Sequence, residues 1–216
     1  MSETLNERLE ALRDLAASPV SKERTNAAWE ALEGWPAQLR EVGLQYAREH
    51  LLLEPPPIAQ AVLAARAHGL RLDPDTIIAP GFGVGPIQAG IKAAWVEILL
   101  GEPDEITSFN DSQDYWAYLS RGLTLMFKSK LLVTVFVYSD RLGGYEKGLH
   151  QAFKGATLEG IHIDSLQKDV TAAYGEPDNV GEMPMAPIPS RWVNYKGISF
   201  DFIVESGAMI YMSVGT

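Results

Sequence analysis

The tetrapeptide Gly-Glu-Pro-Asp occurs twice in this chain of 216 residues, once in LLGEPDEI and once in AYGEPDNV. The first copy lies in GIKAAWVEILLGEPDEI, which is followed by DYWAYLSRGLTLMF and LLVTVFVYS. The second lies in GIHIDSLQKDVTAAYGEPDNV, which is followed by SRWVNYKGISFDF and GAMIYMSV. Both copies show an amphipathic helix, the tetrapeptide, a tryptophan-led strand, a glycine turn and two further strands. This shared order predicts a duplicated α/β unit.

The glycine and proline of each tetrapeptide have a structural explanation. Gly101 and Gly175 are predicted to end a helix, because glycine enters the left-handed conformation at low cost. Pro103 and Pro177 prevent the helix from resuming and fix the direction of the chain into the strands. The acidic residues beside them are predicted to be solvated turn residues. A catalytic carboxylate pair is the less favoured alternative, since the same pair recurs in a structural role.

The first 80 residues follow a different pattern. Leucines recur there at spacings of three and four residues, and prolines and glycines separate further helical segments. We predict a helical N-terminal region over residues 1–80, a first α/β repeat over 81–156 and a second over 157–216. The predicted fold class is therefore α+β, a helical region followed by two helix-plus-antiparallel-sheet modules. Their sheets can join edge to edge, with helices on one side.

The composition limits the classes of function. With 28 Asp and Glu against 18 Lys and Arg, the formal charge is -10. This disfavours nucleic acid and anionic membranes and favours a basic partner, although acidity that serves only solubility is the alternative. The absence of cysteine excludes disulfides and thiolate chemistry. The charged, helical start MSETLNERLEALRDL does not resemble a signal peptide, so we expect a cytoplasmic location.

Alternation assigns the strand residues to two faces of the predicted sheet. The residues predicted to be buried are Leu123, Leu125, Phe127, Val133, Val135, Val137, Ile198, Phe200, Phe202, Ile210, Met212 and Val214. The other face carries Thr124, Met126, Thr134, Phe136, Tyr138, Ser199, Asp201, Met209, Tyr211 and Ser213. Because exposed aromatic patches tend to mark recognition surfaces, this second face is the predicted binding surface. Alternatively, the N-terminal helices fold over it and make it a second core.

Seven residues are the candidates for contact with a partner. Five belong to the second face by alternation, and two are the tryptophans that lead the strand after each tetrapeptide. These tryptophans are either sheet aromatics or interface anchors. The seven candidates are Trp116, Met126, Phe136, Tyr138, Trp192, Asp201 and Tyr211.

The strings GFGVGPIQAGIKAAWVEILLGEPDEI and GATLEGIHIDSLQKDVTAAYGEPDNV also carry a family resemblance. They resemble the opening of the α/β module shared by BamE-type outer-membrane assembly proteins and the tandem-repeat β-lactamase inhibitory proteins. In that module a short initial strand and a glycine-anchored helix pair lead to a Gly-x-Pro turn and antiparallel strands. The resemblance covers about residues 81–216 and implies protein binding across a sheet, without implying the same target. The chain departs from both families in having no lipidation cysteine, no disulfide and no expected signal peptide.

The sequence contains no recognisable catalytic or metal-binding pattern. GFGVG lacks a following Lys-Ser or Lys-Thr, so an initial turn and strand explain it better than a phosphate loop. Asp111 and Asp114 lack the full ligand register of a calcium loop, and no serine lies in Gly-x-Ser-x-Gly. The four histidines lie on separate predicted elements, at His50, His68, His150 and His162. We therefore expect no catalytic residue, metal or cofactor, with an active site assembled from scattered residues as the less favoured alternative.

These observations predict a non-enzymatic protein that binds another protein stoichiometrically. Within that class we favour an inhibitor or immunity-type protein that neutralises a partner in the bacterial cytoplasm, since the acidic charge would speed capture of a basic toxin or enzyme. The alternative is a scaffold or adaptor in an assembly or signalling complex, with the N-terminal helices as the docking part. An enzyme of unknown chemistry is a third hypothesis.

Overall fold

The computed structural model describes residues 4–19, 21–51, 53, 55–140, 150–185 and 188–215. It confirms the α+β fold class. The helices are α1 (Leu5–Ala17), α2 (Lys22–Glu33), α3 (Ala37–His50), α4 (Pro56–Ala67), α5 (Ala93–Leu100) and α6 (Gln167–Tyr174). The strands are β1 (Ile77–Ala79), β2 (Gly83–Val84), β3 (Ile87–Gln88), β4 (Glu105–Asn110), β5 (Gln113–Tyr118), β6 (Leu123–Lys128), β7 (Leu131–Tyr138), β8 (Ala156–Thr157), β9 (Asn179–Met183), β10 (Ser190–Tyr195), β11 (Ile198–Ile203) and β12 (Met209–Gly215).

The chain divides by packing into two compact units. The first contains residues 1–54 and 94–101, and the second contains residues 55–93 and 102–216. These units follow packing, whereas the three predicted segments follow the sequence repeat. The segment boundaries at residues 80 and 156 therefore stay a prediction.

The first unit is built from α1, α2, α3 and α5, and two stacked tryptophans lie in its core. The rings of Trp29 and Trp95 are 5.9 Å apart, with 16° between their planes. The indole N–H of Trp95 donates to the carboxylate of Glu33 at 2.7 Å, which satisfies the polar atom of a buried ring. Helix α5 has the sequence AAWVEILL, with Glu97 as its one charged residue, so it needs a hydrophobic neighbour.

The second unit is organised around an eight-stranded antiparallel sheet in the order β4-β5-β6-β7-β12-β11-β10-β9. Each repeat contributes four consecutive strands. The repeats meet at the centre, where β7 pairs with β12. The predicted edge-to-edge junction of the two sheets is thus confirmed. The edge strands β4 and β9, which directly follow the Gly-Glu-Pro-Asp segments, were not predicted from the sequence.

The two tetrapeptides make the same backbone contacts. Gly101 and Gly175 have φ of +80° and +78°, and each N–H donates to the carbonyl four residues earlier at 2.9 Å. The N–H groups of Asp104 and Asp178 then donate to a carbonyl of the neighbouring strand at 2.8 and 2.9 Å. Each copy therefore ends a helix and starts an edge strand by the same interactions.

One face of the large sheet is its core, but two irregularities shift the predicted alternation. In β7 the register slips, so that Leu132 rather than Val133 lies opposite Phe127. Leu132 is buried, and Val133 is half-buried. In β12 the corresponding shift pairs Met209 with Phe202. The predictions for Val133 and Met209 were therefore wrong, because a bulge adds one residue to a strand and reverses the phase beyond it.

Helix α6 and a second, smaller sheet complete this unit. The ring of Tyr174 on α6 lies 5.7 Å from the ring of Phe200 in the core face. The small sheet has the order β3-β2-β1-β8, and its strand β1 pairs in parallel with β8, which lies at the predicted boundary between the repeats. Strand β2 lies within GFGVG, which confirms the interpretation of this motif as an initial turn and strand.

We predict that Gly175→Ala destabilises the second unit. Gly175 has φ of +78° and ψ of -151°, a region that glycine alone occupies at low cost, so a side chain adds about 1–3 kcal/mol of strain. The added methyl group would meet no described atom within 4 Å, so the loss reports backbone strain. Denaturant unfolding followed by tryptophan fluorescence measures it. Lys168→Arg, an exposed change on the same helix, is the control, and equal stability of Gly175→Ala and the wild type would contradict the prediction.

Candidate protein-binding face

The face of the large sheet opposite its core carries a set of aromatic side chains, which we call the aromatic face. Its central row runs across four strands, with Tyr138, Tyr211, Asp201 and Trp192 as successive cross-strand neighbours. Directly opposed residues point to the same side of a sheet, so this row shares one face. By the same register the neighbouring rows add Tyr115, Ala117, Thr124, Met126, Thr134, Phe136, Asn194, Ser199 and Ser213.

The rings of this face form one connected cluster. Phe136 lies 6.4 Å from Tyr115, 6.4 Å from Tyr138 and 5.9 Å from Tyr211, measured between ring centroids. Tyr138 and Tyr211 lie 5.6 Å apart. Phe136, Tyr115 and Tyr211 are half-buried, so part of the cluster reaches solvent. The two repeats together therefore form a partly exposed aromatic surface.

One corner of the aromatic face is covered by His150. Its ring stacks on Tyr138 at 4.2 Å with 7° between the planes, and its Nε2 lies 3.2 Å from the hydroxyl oxygen of Thr124. The chain after His150 is held by backbone bonds, from the N–H of Gln151 to Leu119 and from that of Phe153 to Tyr138. Tyr138 is consequently buried, and this corner is not a free surface.

The two tryptophans that lead the strands lie on opposite faces. Trp192 is half-buried on the aromatic face, and its ring lies over Gly181, where a Cβ would overlap it. Trp116 pairs with Leu125 on the core side, and its ring lies 4.7 Å from Phe127. The residue equivalent to Trp192 in the first repeat is not Trp116 but its neighbour Tyr115. A difference of one residue in a strand sends a side chain to the other face.

The structure thus brings together six of the seven candidates. Met126, Phe136, Trp192 and Tyr211 are half-buried on the aromatic face, whereas Tyr138 and Asp201 lie on this face but are buried. Trp116 is separated from them on the core side. That any of these residues contacts a partner stays a prediction.

Sequence reasoning missed two residues of this site, Tyr115 and His150. Alternation along DYWAY would have sent Tyr115 and Trp116 to opposite faces, and the structure places Tyr115 opposite Met126. His150 lies outside the repeated pattern, and no sequence signal connects it to Tyr138.

Asp201 is the one acidic residue of the central row. The residue is 2% exposed, and within the described part of the chain neither carboxylate oxygen has a hydrogen-bond partner of normal geometry. Burial raises the pKa of Asp201 above the ordinary value of 3.8, and the hydroxyls of Ser190 and Tyr211 nearby offset part of that rise. Burying an ionised carboxylate in this way costs more folding free energy than burying a neutral side chain would.

Of the two acidic residues considered as a cation site, Asp114 is engaged otherwise. The carboxylate of Asp114 accepts from Lys130 and from the hydroxyl of Ser108, both at 2.7 Å. The bond from Lys130, followed by that from Ser108, holds the pKa of Asp114 below its usual range. Over residues 4–140, 150–185 and 188–215, apart from the gaps named above, no group of three or more His, Asp or Glu side chains could hold a metal ion.

None of the helices that the structure describes is long and apolar enough to cross a membrane.

No protein-family model and no curated protein matches the chain. Among solved structures, a cysteine-rich secretory protein from Staphylococcus aureus is similar at 11% identity and a TM-score of 0.40, over 63% of this chain and 47% of that one. An extracellular SCP-domain protein from Bacillus anthracis is similar at 10% identity and a TM-score of 0.36, over 59% of this chain and 44% of that one. A DUF4309 family protein from Bacillus subtilis is similar at 12% identity and a TM-score of 0.34, over 58% of this chain and 78% of that one. The chain spans less than half of the first two, and these TM-scores support no conclusion about function.

We predict that Asp201→Asn makes the protein more stable at neutral pH. The native state holds the proton of Asp201 more tightly than the unfolded state, because burial raises its pKa. Stability of the wild type therefore falls as pH rises from 3.8 through the raised pKa, and the Asn variant does not share this loss. The advantage of the variant should shrink as pH falls toward 3.8.

Urea unfolding at several pH values between about 3 and 8 measures this difference. Asp178→Asn, which changes an exposed acid of the same repeat, is the matched control. A lower stability of Asp201→Asn at pH 7, or a difference from the wild type that does not depend on pH, would show that the carboxylate is not strained by burial.

Proposed function

We propose that this chain binds another protein stoichiometrically through the aromatic face. The observation that carries the proposal is the partly exposed cluster around Phe136, to which both repeats contribute rings. Large aromatic side chains supply much of the binding energy of protein interfaces, because they bury a large area at a low cost in conformational entropy. A sheet also holds such rings at fixed spacings, which reduces the ordering cost of association.

The charge of the chain indicates the kind of partner. A formal charge of -10 accelerates association with a basic protein and slows association with acidic ones. We therefore propose an inhibitor or immunity-type protein that neutralises a basic toxin or enzyme in the bacterial cytoplasm. The role requires a rigid complementary surface and no catalytic group. The resemblance of the repeats to β-lactamase inhibitory proteins is consistent with it.

A single substitution tests this proposal better than deletion of the N-terminal region. Deleting the residues before Pro80 would remove Trp29 and Glu33, which stack on and accept a hydrogen bond from Trp95. Helix α5 would then lose its packing, and lost binding would have two explanations. Phe136→Ser changes the aromatic face directly and leaves the first unit intact.

We predict that Phe136→Ser weakens partner binding about tenfold or more, because it removes the centre of the ring cluster. Phe109→Ser is the matched control, since Phe109 is 77% exposed on the edge strand β4 and contacts none of these rings in the described structure. Tagged wild type and both variants are used to capture partners from lysate of the native host, with quantitative mass spectrometry and the mass of the complex. The captured partner is then titrated with each variant, and its own activity is measured.

The inhibitor proposal requires one basic protein that is retained at a simple ratio by the wild type and by Phe109→Ser. Phe136→Ser must lose it while remaining folded, and the activity of the partner must fall in proportion to the complex. Equal retention by Phe136→Ser would reject the aromatic face as the binding surface. Several partners, or a partner whose activity is unchanged, would instead indicate a scaffold or adaptor.

A further inference from the structure

The position of Asp201 is not explained by the fold. The residue of the first repeat that corresponds to Asp201 is Met126. Each is the fifth residue of its segment, GLTLMF or GISFDF, counted from the glycine of the turn. Each also directly precedes the bulge of its strand pair. The same scaffold therefore accepts an apolar side chain at this place. A buried carboxylate there costs stability without being needed for the sheet.

The neighbours of Asp201 define what its carboxylate could bind. Tyr211 stands on one side and Trp192 on the other, as direct cross-strand partners. Both are half-buried, so part of each side chain reaches solvent beside the buried Asp201. Aromatic ring faces attract cations, and a buried carboxylate accepts charge-assisted hydrogen bonds from a cationic donor. The surroundings of Asp201 thus combine the two features that recognise an organic cation.

We propose that Asp201 receives an arginine side chain of the partner protein, with the guanidinium held between Trp192 and Tyr211. This inference rests on the proposed function and names the contact that the aromatic face makes. The planar guanidinium donates two parallel N–H bonds to one carboxylate and stacks on aromatic rings, which an ammonium group does less well. A divalent metal ion is not favoured, since no group of three or more His, Asp or Glu side chains that could hold one is found among the described residues.

The free protein keeps this site closed, because the Asp201 carboxylate is shielded from solvent. Binding therefore requires a side-chain movement that exposes the carboxylate, and Trp192, as the cross-strand neighbour of Asp201, is placed to report that change. Its ring rests on Gly181 of the edge strand β9 rather than on a bulky side chain. The desolvated carboxylate then gains a paired charge, so the cost it imposes on the free protein favours the complex.

The experiment uses the full chain and two small probes of equal shape. The first is N-acetyl-arginine methylamide, and the second is N-acetyl-citrulline methylamide, which lacks the charge. Each is titrated into ¹⁵N-labelled protein, and the indole N–H signal of Trp192 is followed by NMR, assigned by its loss in Trp192→Phe. We expect a saturable shift with the arginine probe and binding of the citrulline probe that is weaker by about tenfold or more.

Two variants decide whether the shift of the Trp192 signal depends on the carboxylate of Asp201. Asp201→Asn should abolish the saturable shift, whereas Asp178→Asn, an exposed acid of the same repeat, should keep it. The spectra themselves show whether each variant is folded. No saturable shift in the wild type, an equal response to citrulline, or an unchanged response in Asp201→Asn would each overturn the proposal.

This result and the test of the proposed function can fail independently. Capture of a partner that depends on Phe136, without a response to the arginine probe, would leave the proposed function standing and remove the cation site. A response to the probe that depends on Asp201, with no protein captured, would support a cation site for a small molecule and overturn its assignment to a partner.

Discussion

The pairing of β7 with β12 is the interaction on which the second unit depends. These strands come from different repeats, and without this pairing each repeat would leave a row of backbone N–H and C=O groups unsatisfied at its edge. The register runs from Thr134 opposite Gly215 to Tyr138 opposite Tyr211. It therefore decides which side chains of the two repeats meet. The aromatic face exists because this register brings Phe136 and Tyr138 beside Tyr211.

The two repeats share their backbone and differ in what they present. Both end a helix at glycine, both pair the following aspartate with a neighbouring strand, and both bulge at the same point. Their side chains diverge on the aromatic face, where Met126 corresponds to Asp201 and Tyr115 to Trp192. Duplication thus keeps the interactions that hold the sheet together and leaves one face free to vary.

The aromatic face combines exposed and buried parts. His150 covers Tyr138 and Thr124, whereas Phe136, Trp192 and Tyr211 are half-buried and stay partly accessible to solvent. Well-packed aromatic anchors around a desolvated polar centre are typical of the energetic core of protein interfaces. The buried carboxylate of Asp201 would serve as such a centre.

The sequence by itself determined the helical region, the duplication, the glycine stops and most of the core face, because these depend on local conformational preference and on periodicity. It also placed Phe136, Tyr138, Asp201 and Tyr211 on one face. Tertiary structure decided the rest. The bulges put Val133 and Met209 on other faces than alternation predicts. The phase of β5 places Trp116 on the core side. Contacts between residues distant in sequence bring His150 onto Tyr138 and Trp95 onto Trp29. Alternation carries no information about an inserted residue or a distant contact, since both are set by pairing between strands and packing between elements.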